Sequence, residues 1–296
     1  MNLPHFEGFP WQHFMEFIAP ENDRFEILKK LFDEAALEYR VLKIAGGRHI
    51  ILAPRPPEEK YLRHLPVILV AHYDRAEGSP GANDNSAAVF MLLETAAKLK
   101  KGNVNNWIII FTDREELKTG ESVQNQGAYA LAAGLKNLKM DNCKIYSFDA
   151  CGCGDTIIIS TTVDSLIKRD KGGEKLHESI VDLRNLALDT ARNLGMKKVL
   201  LAPTPLSDDV GFFRAGLAAQ TITVLPSEEC ITLVSELRKD PEYTDFLINS
   251  ELRQSKRSQF IPETWRTLNT PRDSHLRLTP AHFRTVVRFA ETLCKG

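Results

Sequence analysis

Apolar positions along the chain follow two patterns, one of helical spacing and one of unbroken runs. Over Asn22–Tyr39 the residues Phe25, Leu28, Leu31, Phe32 and Ala35 recur at helical spacing, which predicts an amphipathic helix with one buried face. Tyr39–Ile44 and His49–Leu52 are short β-rich runs split by Gly46-Gly47, and they predict a hairpin. The proline-rich stretch Pro54–Pro57 predicts a loop. Beyond it, Val67–Val70 and Trp107–Phe111 are aliphatic and aromatic on consecutive positions, as strands covered on both faces are. Further strands are expected at Ile145–Phe148, Thr156–Ser160 and Thr221–Leu225. Helices are expected at about Ser86–Leu99, Gly127–Leu138, Glu178–Asn193 and Ala281–Leu293. Buried strands alternating with helices predict a three-layer α/β/α fold with a largely parallel, mixed sheet. The 296 residues are expected to form one domain, with the helix and hairpin of residues 1–60 packed on its core.

Composition narrows the classes of partner. Hydrophobic residues make up 43% and charged residues 26%, ordinary for a globular protein. A formal net charge of -1 and a pI near 6.7 give no global field toward nucleic acid or acidic membranes. No stretch approaches the roughly 20 apolar residues needed to span a bilayer. The start MNLPHFEGFPWQHF has no basic segment leading into an apolar run, so it is not expected to be a signal peptide. Five cysteines, scattered except for Cys151-x-Cys153, fit a reduced compartment, and a cytoplasmic location is the expectation.

Ligands in open α/β sheets sit beyond the carboxyl ends of the strands, and those ends carry the candidate chemistry. The first buried strand ends in Ala71-His72-Tyr73-Asp74, the second in Thr112-Asp113-Arg114-Glu115-Glu116, and the third in Asp149. Asp84 lies in the loop Gly81-Ala82-Asn83-Asp84-Asn85 after the first strand. Taken singly, each has a plain structural use: Asp84 as a turn or cap residue, Glu115-Glu116 at a helix start, Asp149 in a loop. Together at one sheet edge they would repel one another unless a cation neutralised them. That grouping points to a metal site.

The stretches VILVAHYDRAEGSPGANDNSAAV, FTDREELKTGESVQNQGAYALA and IYSFDACG resemble the metal-binding motifs of bacterial leucyl aminopeptidases and their relatives. That zinc-exopeptidase family includes glutamate carboxypeptidase-like enzymes and shares its fold with the glutaminyl cyclases. The resemblance spans roughly residues 65–294 and implies two metal ions, usually zinc, bridged by Asp84. It implies His72 and Asp149 on one metal, Asp74 orienting His72, Glu116 on the other metal, and Glu115 as the general base. A peptide would be the substrate and hydrolysis of its N-terminal residue the reaction. Such a base beside a metal-activated water is what amide hydrolysis at neutral pH requires.

The sequence departs from the family pattern at two places. The expected His-Thr-x-x-Asp reads Asn269-Thr270-Pro271-Arg272-Asp273, and an asparagine amide oxygen is a weak ligand for zinc. His275 as a substitute ligand, a second site filled weakly or by a harder divalent ion, and a chain with one metal or none are the readings this leaves open. The expected Ser-Asp-His reads Ser207-Asp208-Asp209, which alters the substrate side of the site. A non-catalytic relative kept for binding, and glutaminyl cyclase-like amide chemistry, stand as alternatives to the peptidase. The single Cys-x-Cys, the Gly152-Cys153-Gly154 run and the basic stretch Lys168, Arg169, Lys171 with Gly172-Gly173 are expected to be structural or solvated.

Overall fold

The computed structural model describes residues 10–54, 65–118, 120–167, 174–240, 242–248 and 256–296. The loop expected at Pro54–Pro57 lies outside them from residue 55 onward, as does the basic stretch at 168–173.

Eight strands form one mixed sheet in the order β1-β2-β4-β3-β5-β8-β6-β7. They are β1 (Tyr39–Ile44), β2 (Gly47–Leu52), β3 (Val67–His72), β4 (Trp107–Thr112), β5 (Lys144–Phe148), β6 (Thr156–Ser160), β7 (Val199–Ala202) and β8 (Ala219–Leu225). Strands β4, β3, β5 and β8 run parallel, and their register places His72 beside Thr112. The expected hairpin is present with its turn one residue earlier. Ala45 and Gly46, at φ 49° and 79°, are the two central residues, and Gly47 already pairs with Ile44. Two successive positive φ values are what a tight turn matching the strand twist demands.

Side chains of the central strands alternate between two cores, as period-2 geometry requires. Leu69, Ala71, Ile109, Phe111 and Phe148 join helices α1 (Trp11–Ile18), α2 (Arg24–Glu34), α3 (Ala87–Lys101), α6 (Glu174–Asn193) and α11 (Phe283–Leu293) on one face. Ile68, Val70, Ile108, Ile110 and Ile145 meet α4 (Gly127–Asn137) and Phe212 of α7 (Asp208–Arg214) on the other. A third cluster joins Ile158 and Leu225 to α8 (Ser227–Lys239), α9 (Tyr243–Ile248) and Trp265 of α10 (Glu263–Thr267). The remaining helix, α5 (Thr162–Ile167), follows β6.

Helix α2 is shorter than its periodicity predicts. Asp23 caps its first turn by accepting from the Phe25 amide at 2.9 Å. It closes where Ala36 turns left-handed at φ 50° and the Leu37 amide reaches back to the Phe32 carbonyl at 2.8 Å. The apolar pattern runs past that point because β1 starts at once and draws on the same core. Among the described residues no helix is long and apolar enough to cross a membrane.

Candidate metal centre

Strand β3 has β4 on one side and β5 on the other, so the order of the sheet switches at β3. Crevices at such switch points are where open α/β sheets bind ligands. The carboxyl ends of these strands bring His72, Glu115, Glu116 and Asp149 to the crevice, and the loop after β3 adds Asp84.

His72 is fully buried, and its two ring nitrogens face different carboxylates. Nε2 lies 3.2 Å from Asp84 Oδ1 and 3.6 Å from Asp149 Oδ1. Nδ1 lies 3.4 Å from Asp74 Oδ1, too long for a full hydrogen bond but close enough to orient the ring. Asp74 in turn accepts from the Glu115 amide at 3.2 Å and the Glu116 amide at 3.0 Å. One carboxylate thus couples the imidazole on β3 to the acidic pair after β4. His72 Nδ1 and Nε2, Asp149 Oδ1 and Glu116 Oε1 are buried without hydrogen-bond partners among the described residues. Unpaired buried donors and acceptors facing one another are costly. His72 Nε2, Asp84 and Asp149 present ligand atoms within 4.8 Å of each other, a nitrogen-and-carboxylate set that suits zinc.

The Asp84 loop is held from three directions. Asp273 accepts from the Asn83 amide at 2.9 Å and the Asp84 amide at 3.0 Å. Asn85, joined to Asp84 by a cis peptide, donates to the Phe148 carbonyl at 2.8 Å and accepts from the Ala150 amide at 3.3 Å. The Arg24 guanidinium of α2 donates to the carbonyls of Tyr73, Asp74 and Pro80 at 3.0, 3.1 and 2.6 Å. The N-terminal helices therefore brace the loop that carries Asp84.

Electrostatics follow from crowding and burial. Burial alone would lower the His72 pKa, but Asp149, Asp74 and Asp84 together raise it well above its ordinary value. A cation on Nε2 would take the place of that proton. Burial and the carboxylates of Glu116, Asp149 and Asp208 push Glu115 well up, while His72 opposes the rise. Burial, Asp84 and other acids do the same to Glu116. Burial also works to raise Asp74, but His72 and the two backbone amides outweigh it and hold Asp74 below its usual value.

Glu115 lines an open cleft together with Asp84, Asp149, Asn269 and an apolar wall that includes Leu206, Trp265 and Leu268. Its Oε1 accepts from Gln126 Nε2 at 3.0 Å. Gln126 reaches it because α4 begins hard against the loop after β4, with the Gly127 amide bonded to the Arg114 carbonyl at 3.0 Å. A Cβ at Gly127 would sit 2.0 Å from the Asp113 carbonyl oxygen, so only glycine permits this approach. Asn269 stands at the cleft rim in the left-handed region, φ 60°. His275 lies in a short 3₁₀ turn and belongs neither to the ligand groups nor to the cleft lining.

Several residues at the site were not singled out from the sequence as part of it. Gln126 sat inside a quoted motif without a role. Asp208 was quoted within the altered Ser207-Asp208-Asp209 motif but given no role of its own; it is fully buried, accepts from Thr112 Oγ1 at 2.8 Å and is pushed by burial to about 7. Arg24 gave no signal, because its partners lie about fifty residues away and are all backbone carbonyls.

Residues 51–276 match the profile of peptidase family M28. The chain belongs to that family. Solved structures give the fold the same placement. A leucine aminopeptidase precursor from Bacteroides thetaiotaomicron superposes with a TM-score of 0.64 at 14% identity, over 99% of this chain and 98% of that one. A glutaminyl cyclase from Porphyromonas gingivalis gives 0.60 at 16% identity, over 97% and 95%. A zinc aminopeptidase from Bacillus subtilis gives 0.51 at 18% identity over 83% of this chain, which spans only about half (49%) of that protein. A search of curated proteins found no match. At these identities the likeness is one of fold, and the structures that share it carry the names of aminopeptidases and of glutaminyl cyclases alike.

Proposed function

We propose that this M28 member is a metal-dependent exopeptidase of the aminopeptidase kind, with zinc at His72, Asp84 and Asp149 and Glu115 as its proton carrier. The observation that carries this reading is the unpaired imidazole nitrogen of His72 facing two carboxylates, with the Glu115 carboxyl opening on the same cleft. Zinc in that position supplies Lewis acidity toward a carbonyl oxygen and makes water a better nucleophile near pH 7.

The protein's own groups account for the rest. Gln126 holds one Glu115 oxygen, which leaves Oε2 to take a proton from the attacking water and return it to the departing amine. The raised affinity of Glu115 for protons suits both halves of that task. With zinc offsetting Asp84 and Asp149, the negative charge left at the site is that of Glu115, Glu116 and Asp208 in their ionised forms, which favours a protonated amine over a carboxylate, so the N-terminus of a peptide is the end admitted. Leu206, Trp265 and Leu268 offer an apolar wall for the first side chain.

The test compares short peptides with free and N-acetylated amino ends, incubated with the zinc-loaded chain. Release of the first residue from the free peptide alone is expected. Cleavage of the acetylated peptide at a similar rate, or release of the last residue first, would refute the reading. Ammonia and a pyroglutamyl product from a glutaminyl peptide would indicate cyclase chemistry instead. Zinc retained with no product from any peptide would indicate a binding protein.

A further inference from the structure

We propose that this chain holds one divalent cation, seated between His72, Asp84 and Asp149, and that Asn269 marks the position where a second site lacks its donor. The described residues present two groups of ligand atoms within 4.8 Å of one another, His72–Asp84–Asp149 and His72–Glu115–Glu116. Both groups depend on the same imidazole. A neutral imidazole has one nitrogen lone pair for a metal and one N–H for another partner. Nδ1 faces Asp74 at 3.4 Å, so it carries the N–H and leaves Nε2 as the ligand. Nε2 points between Asp84 and Asp149, at 3.2 and 3.6 Å. The first group therefore takes the imidazole, and the second is left with carboxylates alone.

Those carboxylates are too few for a second ion. Without the imidazole the second group is left with Glu115 and Glu116; Glu116 Oε1 is buried and unpaired among the described residues, while Glu115 opens on the cleft. Structural and catalytic zinc sites use three or four protein ligands, among which nitrogen or sulfur is usual. Magnesium and calcium complete their shells with water, and one or two carboxylates hold them too weakly to survive dialysis. Asn269 lines the same cleft as Asp84 at the position where the family resemblance expects a ligand histidine, and its neutral amide oxygen is a poor zinc donor. Backbone geometry does not forbid a better one, since histidine shares with asparagine an enriched use of the left-handed region Asn269 occupies.

This goes beyond the peptidase reading and is decided by metal content, so either can fail while the other stands. The full chain is saturated with Zn²⁺, dialysed against metal-free buffer, and its zinc per mole of protein measured by elemental mass spectrometry. One zinc is expected in the wild type and two in Asn269→His. A parallel titration with Mn²⁺, followed by electron paramagnetic resonance, should give an isolated-ion spectrum in the wild type and a spin-coupled pair in Asn269→His. His72→Ala, or Asp149→Asn if the alanine variant fails to fold by circular dichroism, should hold none. Two zinc ions or a coupled manganese pair in the wild type would overturn the proposal, as would zinc retained by the ligand variants. A wild type without zinc would do the same. An Asn269→His chain that still holds one would overturn the assignment of Asn269.

Discussion

Arg24 links helix α2 to the metal centre, and removing it is expected to damage both stability and metal binding. The guanidinium is 5% exposed and donates to five carbonyls, those of Tyr73, Asp74 and Pro80 at 2.6–3.1 Å and of Phe17 and Gly81 at 3.3 Å. It also stacks on the Phe17 ring, 4.7 Å from the centroid. Arg24→Ala leaves those oxygens without their donor. Hydrogen bonds to charged groups contribute about 1.5–3 kcal/mol each, and the three short ones would sum to more than 4 kcal/mol if independent. They share one donor and desolvating it opposes them, so a loss of about 3–5 kcal/mol is expected, as when one partner is removed from a buried ionic network. That is a large share of the total stability of a typical domain, about 5–15 kcal/mol. Urea unfolding followed by circular dichroism reads it directly, as a lower midpoint at unchanged slope. Arg192→Ala is the control, because Arg192 pairs with Asp189 on the exposed surface and should cost no more than about 0.5 kcal/mol. Since Arg24 grips the carbonyls at both ends of the segment 74–81 that leads into Asp84, zinc affinity should fall with it, by about 10–100-fold. If Arg24→Ala costs under about 1 kcal/mol, or unfolds like the control, the bracing role is wrong.

Three further outcomes follow from the same geometry. Glu115→Gln should lower kcat by about 10²–10⁴ while zinc content stays unchanged, because the residue moves a proton without ligating the ion; unchanged turnover would remove it from the mechanism. Gln126→Leu takes away a hydrogen bond to the ionised form of Glu115, so the Glu115 pKa rises and the acidic limb of the pH–rate profile should move to higher pH. A profile that merely drops in height would reduce Gln126 to a packing role. Asp209, buried and crowded by Asp149 and Asp208, is pushed up to about 7 from 3.8. A folded-state pKa above the unfolded one means stability that is full below about pH 4 and lost as pH rises toward 7. In chelator, the wild type should lose up to about 4 kcal/mol more than Asp209→Asn across that range; parallel curves for the two would refute the assignment.

How much of this was legible depended on how far apart the interacting residues lie in the chain. Val67–Val70 and Trp107–Phe111 could be read as strands because burial on both faces leaves an unbroken apolar run, and their ends, with that of Ile145–Phe148, then located His72, Glu115, Glu116 and Asp149. The hairpin was readable for a local reason as well, a glycine between β-rich runs, though periodicity alone could not say that Ala45 takes the first left-handed position. Helix α1 (Trp11–Ile18) escaped notice because it has only eight residues and lies close to the aromatic-rich start of the chain. The supports of the site were mostly invisible. Asp273 meets the amides of Asn83 and Asp84 across about 190 positions, and Arg24 meets carbonyls, which every residue type possesses. No residue pattern marks such a contact.

The same distinction bears on what an M28 sequence with an altered ligand can still do. A missing histidine is visible as one letter, and on letters alone it tells equally for a lost second metal, a substitute ligand or a retired enzyme. Geometry separates these possibilities, because supports can be checked one by one. His72 still has Asp74 behind it, Asp74 still has the Glu115 and Glu116 amides, Asp84 still has Asp273, and Glu115 still has Gln126. Each of these partners serves the first metal position or the proton carrier. A carboxylate cluster kept only for shape would gain stability from replacement by apolar residues, since unpaired buried charge is costly. The supports are intact around the proposed metal position and base, while the departures fall at Asn269 on the rim and at Asp209, which is the pattern expected if the centre holds a single ion and keeps its proton carrier.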